Sequence, residues 1–267
     1  MKAYYSVLRI RLLNGMQYRA AAWAGIATQF FFGFIFIMAF EAFYSHSTHQ
    51  APMSLKEVIT FVWLQQAFLA LITLWFRDSE LFNLITSGNI AYELCLPWSI
   101  YGFWFAKLLA QRVSSALLRC FPVLMVAFLV PEPHRMTLPP SAANFLLFMA
   151  ALLLGVLILV SISMFLYLSV FLTMSPAGSL VIFTMLGEFF SGLLLPVPLM
   201  PEWLQKIANL LPFRMTADFP LRVYSGNIPA SEALTGILIQ LGWLILLVGL
   251  GIFSFKKVLR NVVVQGG

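Results

Sequence analysis

The chain has 267 residues, of which 61% are hydrophobic and only 10% are charged, and its mean hydropathy is +0.91. A soluble domain carries about 25% charged residues, so the composition excludes an ordinary soluble enzyme. The net charge of +6 would indicate nucleic-acid binding in a soluble chain, but here we expect the basic residues to orient helices in a membrane, with no nucleic-acid partner.

A basic, amphipathic stretch opens the chain. Residues 1–19 contain Lys2, Arg9, Arg11 and Arg19 and no acidic residue, and their apolar side chains recur at helical spacing. Positive charge of this kind favours the anionic cytoplasmic leaflet. The pattern predicts an interfacial helix along the membrane surface. A disordered basic tail is the alternative.

The rest of the chain is divided by charge-poor runs of membrane length. About 20 apolar residues in a helix cross the roughly 30 Å hydrocarbon core of a bilayer. No charged residue lies between Arg135 and Glu188, a run too long for one crossing, and Pro176 and Gly178 break it in two. The sequence therefore predicts an all-α polytopic membrane protein with six transmembrane helices, at about 20–41, 57–76, 101–130, 142–172, 178–195 and 234–255.

Charge placement orients these helices. With the N-terminus inside, eleven of the 16 Lys and Arg residues fall in inner segments, as the positive-inside rule demands. We therefore expect a multi-pass protein of the cell (inner or plasma) membrane with both termini in the cytoplasm. Within the third span, Lys107 and Arg112 are expected to snorkel to the inner surface. Arg119 shares a helical face with Arg112 and Ser115 and is expected to face protein or a hydrated cleft.

Two connecting segments differ from ordinary solvated loops. The inner segment, 77–99, mixes polar and apolar residues and contains Pro97 near its end. The outer segment, 196–232, begins with an apolar, proline-rich stretch in which a short amphipathic helix is predicted at about 202–211. We expect this outer segment to form a re-entrant or interfacial element before the last helix. No internal repeat is evident, so 1–267 is treated as a single domain.

The motifs of common catalytic sites are absent from the sequence. There is no Gly-Lys pair and therefore no phosphate-binding GxxxxGK[ST] loop, and there is no HExxH helix or GxSxG elbow. We expect no catalytic residues and no cofactor on this chain. His46 and His49 lie three residues apart, but without a further cysteine or acidic cluster a polar loop is favoured over a metal site.

Glu188 is the one acidic residue that lies away from the ends of a predicted span. An ionisable group at this depth is costly and by default marks a pathway, a relay or a buried partner. Its carboxylate is expected to contact a cationic substrate group or to pair with Arg119. A protonated or hydrogen-bonded packing residue is the alternative interpretation.

Three stretches of the chain resemble one class of transporter. They are 85–122 (ITSGNIAYELCLPWSIYGFWFAKLLAQRVSSALLRCFP), 191–213 (SGLLLPVPLMPEWLQKIANLLPF) and the closing VVVQGG. The first contains the Gly-(Asn/Glu)-(Ile/Leu)-x-x-x-Leu-x-x-Pro pattern followed by an aromatic-rich helix start and spaced arginines. In this order the stretches resemble the ABC-2-type permeases, the exporter subunits with six compact transmembrane helices and a separate ATPase.

The resemblance implies a working complex. Two permease subunits, identical or paralogous, would form a dimer in the membrane on two cytoplasmic ABC ATPase subunits that bind ATP and Mg²⁺. Residues 1–19 would be the elbow helix, 196–232 the re-entrant outer element, and 77–99 a rigid coupling helix ending at Pro97. A surface helix without a partner is the alternative for 77–99. The residues expected to contact the ATPase are Asp78, Glu80, Leu81, Ile85, Gly88 and Glu93.

The expected function is therefore that of a transmembrane permease subunit. It would export an amphipathic substrate (a drug, lipid or hydrophobic peptide), with Glu188, Arg119 and Ser115 along the pathway. An ion-coupled secondary transporter is a second possibility, although it should show internal repeats and several intramembrane charges. An integral membrane lipid-modifying enzyme is a third, and it would need clustered polar catalytic residues.

Overall fold

The computed structural model describes residues 6, 9, 10, 13, 19–46, 51–75, 78–95, 97 and 99–260. The predicted elbow helix at 1–19 and the closing VVVQGG thus fall outside the described residues, apart from a few positions of the former. Within the described part the regular secondary structure is helical. The α-helices are α1 (Arg19–His46), α2 (Leu55–Ala67), α3 (Leu69–Ile72), α4 (Ser79–Thr86), α5 (Ile90–Leu94), α6 (Ile100–Leu129), α7 (Ala142–Thr173), α8 (Pro176–Phe190), α9 (Glu202–Leu210), α10 (Asp218–Ser225) and α11 (Ala230–Leu259).

Four of these helices are long and apolar enough to cross a membrane. They are α1 from Trp23 onward, α6, α7 and α11, of 24, 30, 32 and 30 residues. The serine side chains at the N-caps of α6 and α7, Ser99 and Ser141, accept hydrogen bonds from backbone N–H groups of the first turn. The first, third, fourth and sixth predicted spans are therefore confirmed as helices of membrane length.

The second predicted span, 57–76, is a shorter and interrupted helix. α2 begins at a capping box between Ser54 and Glu57, and its residues from Val58 to its end are buried. Phe68 leaves helical geometry before α3 adds one more turn. A wholly buried helix of this kind lies inside the bundle, where it contacts α1, α6 and α10.

The fifth predicted span, 178–195, is the 15-residue helix α8. Met174 at φ 51° ends α7 in the left-handed region, and Pro176 is the first residue of α8, as the sequence break predicts. At about 1.5 Å per residue α8 is roughly 22 Å long, which is shorter than the hydrocarbon core. The helix ends at Phe190, and Gly192 at φ +80° turns the chain.

The outer segment contains one helix that the sequence predicts and one that it does not. The amphipathic helix expected at 202–211 is α9. The unexpected helix is α10, whose residues are all buried except Arg222. The side-chain amide of Asn144 in α7 donates a 3.0 Å hydrogen bond to the Val223 carbonyl at one end of α10. Thr216, just before α10, lies against Gly155, eleven residues further along α7. α10 therefore runs antiparallel to the first half of α7.

Asp218 joins α10 to the chain that follows α8. Its side chain is fully buried, and one carboxylate oxygen accepts a 2.9 Å hydrogen bond from the backbone N–H of Val197. The other lies 3.2 Å from the guanidinium of Arg222. The Asp218 backbone N–H donates to the Ser191 carbonyl at 2.9 Å. These contacts hold the end of α8 beside the start of α10.

An aromatic cluster packs α6, α7 and α11 together at their ends beside the inner segment. Trp104 of α6 is fully buried and stacks on Phe171 of α7, with ring centroids 6.2 Å apart. Phe255 of α11 meets Trp104 edge-on at 6.0 Å. The short helices α4 and α5 pack on this cluster through their own buried apolar residues. The inner segment is thus attached to α6, α7 and α11 by apolar packing.

Candidate functional site

A groove of about 460 Å³ opens between helices from separate parts of the chain. Its walls come from α1, α2, α6 and α8, together with residues at and just after α3. Apolar and aromatic side chains form most of the lining, with polar side chains among them. The lining residues are Gly25, Thr28, Gln29, Phe32, Phe36, Gln65, Gln66, Leu69, Trp75, Arg119 and Glu188.

Arg119 lies in this groove because a glycine faces it. A Cβ atom built on Gly25 of α1 would stand 2.9 Å from Arg119 Cζ and 2.9 Å from Nη1. The guanidinium group therefore occupies the space that any other residue at position 25 would fill. The expectation that Arg119 faces protein or a cleft, and not lipid, agrees with this position.

Glu188 of α8 lines the same groove and is half-buried. Among the described residues its carboxylate forms no ion pair within 4.0 Å, and neither does the Arg119 guanidinium. The groove thus presents one acidic and one basic side chain that do not neutralise each other directly. Of the two functional roles considered for Glu188, a direct pair with Arg119 is absent from this structure.

Glutamine side chains add hydrogen-bonding capacity to the groove. Gln29 is only 3% exposed, and its Oε1 atom has no hydrogen-bond partner among the described residues. Gln66 is 2% exposed, while Gln65 donates a 2.8 Å hydrogen bond to the Leu193 carbonyl after α8. A buried acceptor without a donor costs free energy. Gln29 is thus a polar residue of the groove lining whose buried oxygen has no donor within the described part of the protein.

Arg112 and Ser115 do not line this groove. The Arg112 side chain is 1% exposed and donates to the Thr73 carbonyl at 2.6 Å and to Ser163 Oγ at 3.2 Å. The expectation that Arg112 snorkels to the inner surface is therefore wrong. Thr73 ends α3, so its carbonyl has no helical partner, and the guanidinium satisfies it within the protein. Ser115 is half-buried between the two arginines.

The inner segment forms two short helices, not one rigid helix ending at Pro97. Gly88 stands between α4 and α5 with φ +76°, and nothing lies within 4 Å of the place where its Cβ would be. This left-handed conformation ends α4 and turns the chain. The inner segment is thus a helix–turn–helix with Gly88 at its turn.

Three of the residues expected to contact the ATPase are buried inside this chain. Asp78 caps α4 by accepting from the Glu80 N–H at 3.0 Å, and its own backbone N–H donates to Tyr167 Oη at 2.9 Å. Leu81 and Ile85 are 0% and 3% exposed and belong to the inner hydrophobic cluster. These side chains anchor α4 to α7, so in this conformation they have no surface for a partner.

The other three residues lie closer to solvent. Glu80 is exposed and forms a 2.8 Å ion pair with Lys107, whose side chain is nearly buried in α6. A carboxylate oxygen of Glu93 accepts a hydrogen bond from the Trp104 indole N–H. The outward surface of the helix–turn–helix is mostly polar, with Tyr92 and Leu94 as its exposed large apolar side chains. We call it the α4–α5 face; its residues are Ser79, Glu80, Asn83, Thr86, Ser87, Asn89, Tyr92 and Leu94.

Sequence reasoning missed the glutamines, Gly25 and this α4–α5 face. A signal for the glutamines was present, since Gln29 interrupts the apolar stretch IATQFFF and Gln65 and Gln66 are adjacent in VWLQQAF. Polar side chains inside an apolar span face the bundle interior or a cavity. No local signal marks Gly25, because its role depends on a side chain 94 positions further along the chain.

The two histidines that the structure describes contact other parts of the protein outside the groove. His134 lies 3.0 Å from Glu41, and its carbonyl accepts a hydrogen bond from the Trp63 indole at 2.8 Å. His46 Nδ1 lies 2.8 Å from the Ala42 carbonyl; His49 falls outside the described residues. Within the described ranges no group of three or more His, Cys, Asp and Glu residues could hold a metal ion.

Comparison with known proteins places this architecture in a family. A family model described as "ABC-2 family transporter protein" matches residues 30–266, which is most of the chain. No curated protein and no solved structure matches the chain significantly. The match confirms the resemblance drawn from the three sequence stretches. Permeases of this family are membrane subunits of ABC transporters, generally without catalytic activity of their own, and generally pair with an ATPase subunit. This multi-pass helical chain therefore belongs to the ABC-2 transporter family, as the permease subunit of an ABC transporter.

Proposed function

We propose that this permease is the membrane half of an ATP-driven exporter whose amphipathic substrate passes through the Arg119–Glu188 groove. The single observation that carries the proposal is that groove, in which polar and charged side chains from four helices meet inside an apolar bundle. Polar groups inside a membrane protein are costly and mark substrate pathways. The aromatic and apolar lining suits the hydrophobic part of a drug, lipid or peptide.

The energy for transport would enter through the α4–α5 face. Two cytoplasmic ATPase subunits, which hold ATP and Mg²⁺, would contact this surface, including Tyr92, and the Gly88 turn beside it. Tyr92 is 76% exposed, unusual for a tyrosine in a chain that buries most of its inner aromatic side chains. Aromatic side chains of this kind are favoured anchors at protein interfaces.

Movement of this face would be passed to the groove along α6. The Glu80–Lys107 ion pair attaches α4 to α6, and Arg119 lies twelve residues beyond Lys107 on the same helix. That separation is about 18 Å along the axis. The buried Leu81 and Ile85 would pass the same movement to α7. A rigid helix can therefore carry displacement from the ATPase to the substrate site.

The assembly would follow the family pattern. A second permease, identical or paralogous, would complete the membrane dimer, with both termini in the cytoplasm of the cell that carries the complex. α2 with α3, and α8 with α10, would complete the six crossings, and the stretch between α8 and α10 would be a re-entrant element on the exit side. This arrangement is supported by the antiparallel alignment of α10 with the first half of α7.

The proposal is tested by reconstitution. The permease and its ATPase are placed in vesicles, and ATP-dependent accumulation of a fluorescent amphipathic dye is measured. We expect transport with ATP, none with the permease alone, and a strong loss in Glu188→Gln. The exposed Glu232→Gln in α11 is the matched control. Uptake by the permease alone under an ion gradient would contradict the proposal and favour a secondary transporter.

A further inference from the structure

We propose that the groove binds a zwitterionic amphiphile, with an anionic group on Arg119 and a primary ammonium group on Glu188 and Gln29. This inference deepens the proposed function and rests on it for the role of the groove in transport. The ligand class follows from three observations on the groove: its separated charges, its unpartnered buried oxygen and its apolar walls.

The charges show what the ligand must carry. Arg119 and Glu188 line one groove but do not form an ion pair with each other. A purely cationic ligand would leave the Arg119 guanidinium without an anion, and a purely anionic ligand would leave the Glu188 carboxylate without a cation. Uncompensated charge in a low-dielectric site is costly. A ligand with one charge of each sign satisfies both side chains at once.

The unpartnered oxygen identifies the kind of cation. Gln29 lines the groove, and its Oε1 atom is buried and has no donor among the described residues. A primary ammonium group has three N–H donors, so it can serve Glu188 and Gln29 together. A quaternary ammonium group has no N–H and would leave the Gln29 oxygen unsatisfied. The site therefore favours an ammonium with N–H groups over a trimethylammonium.

The apolar walls account for the remainder of the ligand. Phe32 and Phe36 of α1 line the groove together with Leu69 and Trp75, and these side chains offer a surface that suits an alkyl chain. A groove of about 460 Å³ lies within the range of small-molecule sites, about 300–1,000 Å³. Such a volume takes a charged headgroup and part of a chain. The inferred class is an amphiphile with an ammonium and a phosphate or carboxylate in its headgroup.

Direct binding tests this inference without the ATPase. The full-length permease is placed in nanodiscs, and binding of radiolabelled dodecylphosphoethanolamine is measured against three analogues with the same chain. Dodecylamine carries only the cation, dodecyl phosphate only the anion, and dodecylphosphocholine both charges but no N–H. We expect the zwitterion with N–H groups to bind about tenfold more tightly than each analogue, the ratio expected for one charged hydrogen bond.

Variants assign each contact. Arg119→Gln should weaken binding of dodecylphosphoethanolamine and dodecyl phosphate but should not weaken binding of dodecylamine. Glu188→Gln should weaken binding of the zwitterion and dodecylamine but should not weaken binding of dodecyl phosphate. Gln29→Leu should remove the preference for dodecylphosphoethanolamine over dodecylphosphocholine. The matched controls are Lys257→Gln and Glu232→Gln, two exposed charges on α11 outside the groove.

The outcomes separate this inference from the proposed function. Equal binding of all four amphiphiles, or binding indifferent to Arg119 and Glu188, overturns the inference; if ATP-dependent dye transport persists, the proposed function stands. Selective binding of the zwitterion, with no ATP-dependent transport by the complex, would support the inference and contradict the proposed function. Thr28 lines the groove, so a Thr28→Cys variant tests whether a second permease copy fills it. Complete cross-linking between two copies, with no zwitterion bound, would also overturn the inference.

Discussion

The carbonyl oxygen of Thr216 lies 2.9 Å from the position that a Cβ atom would take on Gly155. This close approach brings the backbone before α10 directly against α7. Gln240 of α11 donates to the Met215 carbonyl at 2.8 Å and to the Ala151 carbonyl at 2.9 Å, so it holds the same backbone from the other side. The outer segment is therefore an integral part of the helix bundle.

Gly155→Ala should destabilise the protein, because the added methyl group meets backbone atoms that cannot rotate away. Overpacking of this kind costs about 1–3 kcal/mol. Gly242→Ala is the matched control, since Gly242 lies on α11 with nothing within 4 Å of its Cβ position. Thermal unfolding in detergent should show a lower midpoint for Gly155→Ala than for the unmodified protein, and an unchanged midpoint for the control. Equal midpoints would contradict the packing of α10 on α7.

Asp218→Ala should destabilise the protein more strongly. The change leaves the Arg222 guanidinium and the Val197 N–H without their buried acceptor, and breaking a buried ion pair costs about 3–5 kcal/mol. Asp218→Asn keeps an oxygen that can accept from the Val197 N–H, so its stability should lie between that of the unmodified protein and that of Asp218→Ala. Unfolding midpoints measure both, with the exposed Glu202→Gln as control. A result for Asp218→Ala like that of the control would show that Asp218 does not hold α8 and α10 together.

Gly25→Ala should weaken ligand binding and transport without harming the fold. Alanine favours a helix over glycine by about 1 kcal/mol, and the clashing atoms are the far end of a flexible side chain. Its methyl group would displace the Arg119 guanidinium from the groove. We expect a loss of about tenfold in affinity for dodecylphosphoethanolamine, similar to that of Arg119→Gln. Unchanged affinity would mean that the guanidinium position is not part of the site.

Gly88→Trp should impair assembly with the ATPase, because the large ring would project from the turn of the α4–α5 face. Gly88→Asn is the matched control, since asparagine tolerates the left-handed conformation that φ +76° requires. ATPase co-purification and ATP-dependent transport should fall in the first variant and persist in the second. If Gly88→Trp retains both, the ATPase binds elsewhere.

The sequence alone predicts the membrane location, the four long helices, the break between α7 and α8, and α9. Each of these follows from local features: apolar runs long enough for the bilayer, Pro176 at a helix start, and amphipathic spacing. Arg119 and Glu188 could also be singled out from the sequence, because charge in an apolar run is conspicuous without any knowledge of its surroundings.

Only the tertiary structure decides which of these side chains meet. Rotation and depth of one helix against another are set by packing, and small residues such as Gly25 and Gly155 allow approaches that no local pattern encodes. Packing also turns Leu81 and Ile85 inward and leaves the α4–α5 face as the accessible part of the inner segment. It likewise places Asp218 inside the protein, where the sequence predicts only an outer segment, because its partners lie before and after it along the chain.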